Sequence, residues 1–393
     1  MSIETLPIAH SDRQNWSAIG AMSLCVAMLI TAEFMPVSLL TPIASDLGAT
    51  DGMAGLAISI SGLFAVISSL SIVSIASRFD RRHVLMGLTI VMLASLLLIA
   101  EAPSFTVLML ARALLGIVIG GFWSLATATV MRLVPARSVP KALGVMYTGN
   151  AAATAFAAPL GSYLGGMIGW RGVFWLLAPV VVLNFVWQWI SLPAMPPQRE
   201  KATGGILCLL KRRNVAYAMA GVMFTFAGAF SAFTYLRPFL EMRTHVSVLQ
   251  LSFLLLGLGL AGFIGTSGAS STLGKHLYRL LRWLPLALSV VTLGLLATGT
   301  VFWGVAIAMI AWGALNSAIP VAWSAWIAKG IHDDPENGGG LIVAAIQLSI
   351  MLGAAFGGLL LDHVSIGATF VGGAILLVIA SLIVGNGERI KPA

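Results

Sequence analysis

The chain is 393 residues long, 59% hydrophobic and only 9% charged, with a mean hydropathy of +0.97. A water-soluble globule has close to a quarter of its residues charged, so this composition excludes one and describes a chain solvated mainly by lipid. The net charge of +8 does not mark a nucleic-acid partner, because the basic residues sit in short clusters between apolar runs, and Cys25 and Cys208 are too few and too differently placed for a disulfide framework or a zinc site.

Residues 1–15 are polar and end on Asp12-Arg13; the apolar run that follows is too long for a cleaved signal peptide and reads as a permanent span. Runs long enough to cross about 30 Å of hydrocarbon as helices recur at 16–40, 52–76, 84–102, 104–133, 142–166, 172–192, 215–236, 248–272, 283–301, 302–328, 339–362 and 366–385, twelve in all. With the N-terminus inside, the inner segments hold eighteen Lys and Arg residues, and the outer ones only Arg171, Arg237 and Arg243. That asymmetry predicts both termini in the cytoplasm.

Within the first span stands Glu33, in Ala32-Glu33-Phe34-Met35-Pro36, and the fourth span holds Arg112, the other charge well inside a predicted span. An ionisable group at membrane depth is unfavourable by several kcal/mol unless it finds a partner or water, which makes it a functional candidate. Glu33 lies seven residues before Leu40 and Arg112 eight after Ser104, so at 1.5 Å per residue both sit roughly 10–12 Å below the outer helix ends. Equal depth predicts a pair. One reading is proton coupling, with Glu33 taking a proton from outside, loosening its hold on Arg112 and releasing the proton inside. The other is a permanently ionised structural pair.

The longest polar interruption, 193–214, contains Pro193, Pro196, Pro197 and Gly204-Gly205 and reads as a linker between an N-terminal six-helix bundle (1–192) and a C-terminal one (215–393). Ile206-Leu207 and Leu209-Leu210 before Lys211-Arg212-Arg213 fit a short helix on the inner surface and fit a plain basic loop equally. A shift of 196 residues lays Leu40-Thr41-Pro42 on Leu236-Arg237-Pro238 and Gly161 on Gly357. The predicted fold is therefore an all-α integral membrane protein of twelve transmembrane helices in two six-helix pseudo-repeats, with a site at their interface. The same shift takes Glu33 to Ala229 and Arg112 to Ala308, so on the proton-coupling reading the coupling belongs to the first half and solute recognition falls to the second.

The loop after the second span, Arg78-Phe79-Asp80-Arg81-Arg82, resembles the L-A-D-R-x-G-R-R signature of the major facilitator superfamily, with Ser77 where that family has Asp and Asp80 where it has Gly. Arg112-Ala113-Leu114-Leu115-Gly116 is similar to its R-x-x-Q-G without the Gln, and Ala158-Pro159-Leu160-Gly161 stands where its drug:proton antiporter branch has G-P. Gly120-Gly121-Phe122-Trp123, Met131-Arg132-Leu133-Val134-Pro135, Gly169-Trp170-Arg171 and Phe233-Thr234-Tyr235-Leu236-Arg237-Pro238 add a resemblance to bacterial purine ribonucleoside exporters, with arabinose and sugar efflux proteins as neighbours. The resemblance implies the major facilitator fold, a place in the bacterial inner membrane and export of inosine-, guanosine- or adenosine-like solutes against protons. It also implies a conformational role for Arg78, Asp80, Arg81 and Arg82.

Candidate solute contacts follow from residue type. Trp312, Asn316 and Trp323 share one face of the tenth span, and Trp123 lies in the fourth. Phe226 and Phe233 flank Ala229 by a turn, with Phe230 and Tyr235 nearby and Phe34 beside Glu33. Flat bases stack on aromatic faces at roughly 1–3 kcal/mol per ring, and the amides of Asn150, Asn316 and Gln347 suit base edges or ribose hydroxyls. For each single aromatic, lipid contact or helix packing is the competing reading. Asp46, Asp51, Glu101 and Asp362 read as solvated outer residues, Asn184 and Gln188 as mutual partners or snorkelling groups, and His332-Asp333-Asp334-Pro335-Glu336 as a turn rather than a metal site. No G-x-x-x-x-G-K-[ST] is present, which removes ATP as the energy source. The expected partners are a nucleoside-like solute, protons and the bilayer, for a monomer with no cofactor or metal and no enzymatic activity. Sugar or multidrug efflux and a non-transporting scaffold are the alternatives.

Overall fold

The computed structural model describes residues 15–76, 78–197, 206–331 and 335–391. Ser77, the linker segment 198–205 and His332-Asp333-Asp334 lie outside the described residues. The described elements are helical: α1 (Trp16–Ser38), α2 (Leu40–Asp46), α3 (Asp51–Ala76), α4 (Arg81–Ala100), α5 (Phe105–Leu133), α6 (Val139–Ser191), α7 (Arg213–Thr234), α8 (Leu236–Phe239), α9 (Val248–Thr298), α10 (Phe302–Gly330), α11 (Pro335–His363) and α12 (Ile366–Val384), with short 3-10 and π turns between them.

Eleven helical segments among the described residues are long and apolar enough to cross a membrane. One of them, Lys141–Ser191, has 51 residues, about 77 Å at 1.5 Å per residue and more than twice the hydrocarbon thickness. It is broken at Gly169, whose φ of 74° and ψ of 162° leave the helical region. A side chain there would meet no steric neighbour, so glycine is required by the backbone and not by space. This element therefore supplies two passes, which brings the total among the described residues to twelve.

The repeat extends to the helix boundaries. A shift of 196 residues carries Ser38 to Thr234, the ends of α1 and α7, and Val139 to Pro335, the starts of α6 and α11. Trp170, just after the Gly169 break, falls on Ile366, where α12 begins. The junction residues Leu39 (φ −118°, ψ 11°) and Tyr235 (φ −106°, ψ 19°) have nearly the same backbone. Two expectations change. The run 16–40 breaks at Leu39, and the ninth span starts at His276 rather than 283, where Arg279 and Arg282 occupy the first turns and Arg282 lies over the Trp283 ring.

Each repeat has its own apolar core, and the second core reaches across to Val37, Ala54, Ile58 and Ala158 of the first half. Lipid tails are as apolar as leucine, so the helices associate through close packing. On Gly116 of α5 a Cβ would lie 2.2 Å from the Ser61 carbonyl oxygen of α3, so only glycine lets these helices approach that far. A 3-10 turn over Ile206–Lys211 lies within the linker, with Leu209 buried in the second core.

Candidate functional site

Pro36 lies inside α1 and has no N–H, so the carbonyl four residues earlier, that of Ala32, loses its helical donor. Arg112, wholly buried on α5, supplies the replacement: its Nη1 donates to Ala32 O at 2.8 Å. Nη2 donates to the backbone oxygen of Glu33 at 3.3 Å and Nε to Ala57 O of α3 at 2.9 Å. One guanidinium thus ties α1, α3 and α5 together. The predicted pairing takes an indirect form: Arg112 lies close enough for its charge to act on the Glu33 carboxylate, while three of its five N–H donors bond backbone carbonyls.

The carboxylate instead faces the other repeat. Gln347 of α11 donates from Nε2 to Glu33 Oε1 at 3.4 Å, and both residues are buried. One residue on, the Phe34 ring meets Phe230 at 5.8 Å and Phe233 at 6.0 Å between centroids. Phe233 in turn stacks on Trp312 at 5.7 Å with only 6° between planes, and Trp312 is oriented by its own Nε1–H donating to Thr292 Oγ1 at 3.1 Å. Four rings and an acid–amide bond therefore span the two repeats at one depth. Phe233, which stands out in the sequence only by its spacing from Ala229, is the hub of this cluster.

Other expected contacts are distributed differently. Tyr235 is fully buried and donates to Ala354 O at 2.7 Å, a packing role at the α3–α11 contact. Trp323 lies 11 residues beyond Trp312, about 16 Å along the helix, and packs against Trp326 and Gly221 inside the second repeat. Neither joins the cluster. Trp123 stacks on Tyr147 at 5.6 Å within the first repeat, and Phe226 is buried in the second core. Asn150 and Asn316 are half-buried. Gln188 does not snorkel; it is buried and accepts from Thr89 Oγ1 at 3.1 Å.

The hydrogen bonds joining the repeats run from the Glu33 level to one end of the molecule. Asp362, read from sequence as solvated, accepts from Thr50 Oγ1 at 2.7 Å and from the Gly52 N–H at 3.2 Å. Ser59 Oγ donates to Met351 O at 3.0 Å, and Arg237 donates to Ser38 O. Asp46 is also engaged: Arg171 and Trp170 both bond its carboxylate. No sequence signal marks Thr50 and Asp362 as partners.

At the opposite end, Asp80 caps α4 by accepting from Arg82 N at 2.8 Å and takes the Met195 N–H on both oxygens, at 3.0 and 3.1 Å. Arg82 Nη2 donates to Trp189 O at 2.6 Å and Arg132 Nη1 to Pro196 O at 3.2 Å. These bonds fasten the start of the linker to the first repeat. Arg81 is buried in the same region and its N–H donates to Met195 O at 3.0 Å, while Arg78 is exposed.

Two six-helix repeats that meet around a buried acid, an amide and stacked aromatic rings define a membrane carrier. Residues 22–337 match the Major Facilitator Superfamily, and the chain belongs to that superfamily as a multi-pass transporter rather than an enzyme. It is 47% identical over 390 residues to the transcription regulatory protein OpdE of Pseudomonas aeruginosa, covering 98% of this chain and 97% of the relative. It is 41% identical over 380 residues to the purine ribonucleoside efflux pump NepI of Salmonella enteritidis, covering 97% and 96%. A bacterial homolog of the human lysosomal transporter Spinster, solved in an inward-facing and occupied conformation, has a TM-score of 0.75 at 16% identity over 93% of this chain and 95% of that one. That likeness shows the fold.

Proposed function

We propose that this carrier exports purine ribonucleosides in exchange for protons by alternating access, from the cytoplasm across the bacterial inner membrane, with Glu33 as the proton-carrying group. The observation that carries the reading is the Glu33–Gln347 bond between the repeats, one residue from the cross-repeat cluster of Phe34, Phe230, Phe233 and Trp312. A buried acid at the surface where the repeats part is exposed to each aqueous side in turn, which antiport requires. The ring cluster suits a flat, neutral base better than a free sugar, and the similarity to a purine ribonucleoside efflux pump supports the same solute class. Eighteen basic residues on one side against three on the other support cytoplasmic termini. Arg112 holds the helix that carries the acid.

The test is uptake into inverted vesicles under an imposed pH gradient, with arabinose and a lipophilic cation as competitors. Inosine should accumulate and neither competitor should block it; accumulation of arabinose or the cation instead would replace the nucleoside assignment with sugar or drug efflux. In the same vesicles Glu33→Gln should exchange inosine without responding to the gradient. Gradient-driven accumulation by that variant would remove the proton role. Regulation of transcription, the role in the name of the Pseudomonas relative, calls for a surface outside the bilayer. The longest non-spanning stretch here is the linker region.

A further inference from the structure

We infer that Gln347 couples the proton to the solute: its side-chain amide turns over with the charge on Glu33, so the hydrogen-bonding group it offers the solute depends on whether the proton is bound. This rests on the proton role proposed above for Glu33. An ionised carboxylate only accepts hydrogen bonds, whereas a protonated one presents an O–H donor. A primary amide carries an NH2 donor and a carbonyl acceptor on one carbon, so half a turn about its last bond exchanges them. With Glu33 ionised, Nε2 faces Oε1, as the structure has it at 3.4 Å, and the carbonyl is the end left for a solute. With Glu33 protonated, the amide carbonyl takes the acid O–H and the NH2 end is freed.

The surroundings leave the response to this amide. The charged group acting on Glu33 is Arg112 from α5, and each of its three nitrogens is anchored to a backbone oxygen, of Ala32, Glu33 or Ala57. It supplies a fixed positive field. From α3 the Ala57 carbonyl anchors that guanidinium, and from α7 and α10 the rings of Phe230, Phe233 and Trp312 cluster around the neighbouring Phe34, all neutral. The backbone of Gln347 is held in place, since Gly62 of α3 packs against its carbonyl so closely that a Cβ would come within 2.8 Å. The side chain can turn while the helix stays. Because Glu33 belongs to one repeat and Gln347 to the other, the bond that reads the proton also crosses the surface that opens.

The experiment titrates inosine affinity of the purified full chain between about pH 5 and pH 9, alongside infrared difference spectra of the protonation step without solute. In the wild type the dissociation constant should change roughly tenfold across the transition, the worth of one mispaired buried hydrogen bond. The spectrum should show the Glu33 carboxyl band together with a shift of one primary-amide carbonyl band. In Gln347→Leu the amide shift should vanish while the carboxyl band persists, and affinity should no longer follow pH. A wild-type pH slope in this variant, or an amide shift that survives in it, overturns the proposal and leaves Glu33 untouched. Full pH dependence in Glu33→Gln instead removes the proton role on which the proposal rests. If Gln347→Leu binds no inosine, the spectra still decide, and Gln347→Glu adds a second readout. Two acids sharing one proton should raise the pH midpoint by about a unit or more, and an unmoved midpoint would refute the contact.

Discussion

Arg112 Nη1 donates at 2.8 Å to the Ala32 carbonyl, the acceptor that Pro36 strips of its helical partner four residues on. A proline in a spanning helix and an arginine in a neighbouring one thus solve each other's problem: a freed carbonyl at membrane depth has no water to turn to, and a buried guanidinium has donors to satisfy. The helix that carries Glu33 is fixed to α3 and α5 by this bond and its two companions, so what moves at the site must be the other repeat or a side chain.

Arg112→Lys should therefore damage the protein beyond its charge. A lysine keeps the positive charge but presents one nitrogen where the guanidinium serves three carbonyls on two helices. The Ala32 carbonyl, which Pro36 leaves without a helical donor, costs about 1–3 kcal/mol if it is left unpaired. The purified variant should melt several degrees below the wild type and transport poorly, whereas Glu33→Gln, which removes no donor from these carbonyls, should melt near the wild type. A Lys variant as stable as the wild type would contradict the clamp.

Much of this architecture is legible in the sequence because lipid imposes it. The spans, the repeat and the depth of Glu33 and Arg112 follow from hydropathy, an offset and the helical rise. The partner atoms do not. Depth alone cannot distinguish a carboxylate oxygen from a backbone one, although Pro36 at four residues past Ala32 was the available clue. Likewise Trp312 and Trp323 share a helical face, but a shared face does not say which of them stacks on Phe233, the ring that meets Phe34 of the other repeat, and it is Trp312 that does. Thr50 and Asp362 are 312 residues apart, and an exposed threonine and aspartate look the same whether solvated or joined.

The α3–α11 fastening gives a steric test. A Cβ on Gly55 would lie 1.9 Å from the Tyr235 hydroxyl, which itself donates to Ala354 O. Gly55→Ala should push the ring away, loosen this end and raise thiol labelling of cysteines introduced at the Thr50 level, with transport falling several-fold. Tyr235→Phe removes the clashing oxygen, so the double variant should regain part of the loss. Additive losses in that cycle would mean the two positions do not meet.

Asp80 makes a separable prediction. Its carboxylate caps α4 and holds the Met195 N–H, so Asp80→Ala removes a cap worth about 0.5–2 kcal/mol and frees the start of the linker. The expected result is a slower turnover with unchanged inosine affinity, because the binding region lies far along the helices. A raised dissociation constant with normal turnover would place Asp80 in another role.

The Gly169-Trp170-Arg171 turn should show itself in acid. Arg171 bonds Asp46 and holds its carboxyl below the ordinary value of 3.8. A depressed folded pKa means the stabilisation is present above the unfolded value and is lost as pH falls through the folded one. Both side chains are more than a third exposed, at 36% and 46%, so solvent screening keeps the effect small. Asp46→Asn should melt slightly below the wild type at neutral pH, and the gap should close as pH drops below 3.8. A gap that persists in acid would show that the pair contributes nothing through its charge.

The ring cluster carries the last prediction. Phe233 lies between Phe34 and Trp312, in contact with both, so Phe233→Leu keeps an apolar side chain while removing the stacking face. If a base stacks in this region, inosine affinity should fall by roughly 1–3 kcal/mol, or about five- to 150-fold, and free ribose, which has no base, should be unaffected as a competitor. Trp323→Leu, deep in the second repeat against Trp326, should lower stability with little change in affinity. Equal affinity losses at Phe233 and Trp323 would indicate that both act through packing, and the base would have to be sought elsewhere, beginning with the Trp123–Tyr147 stack.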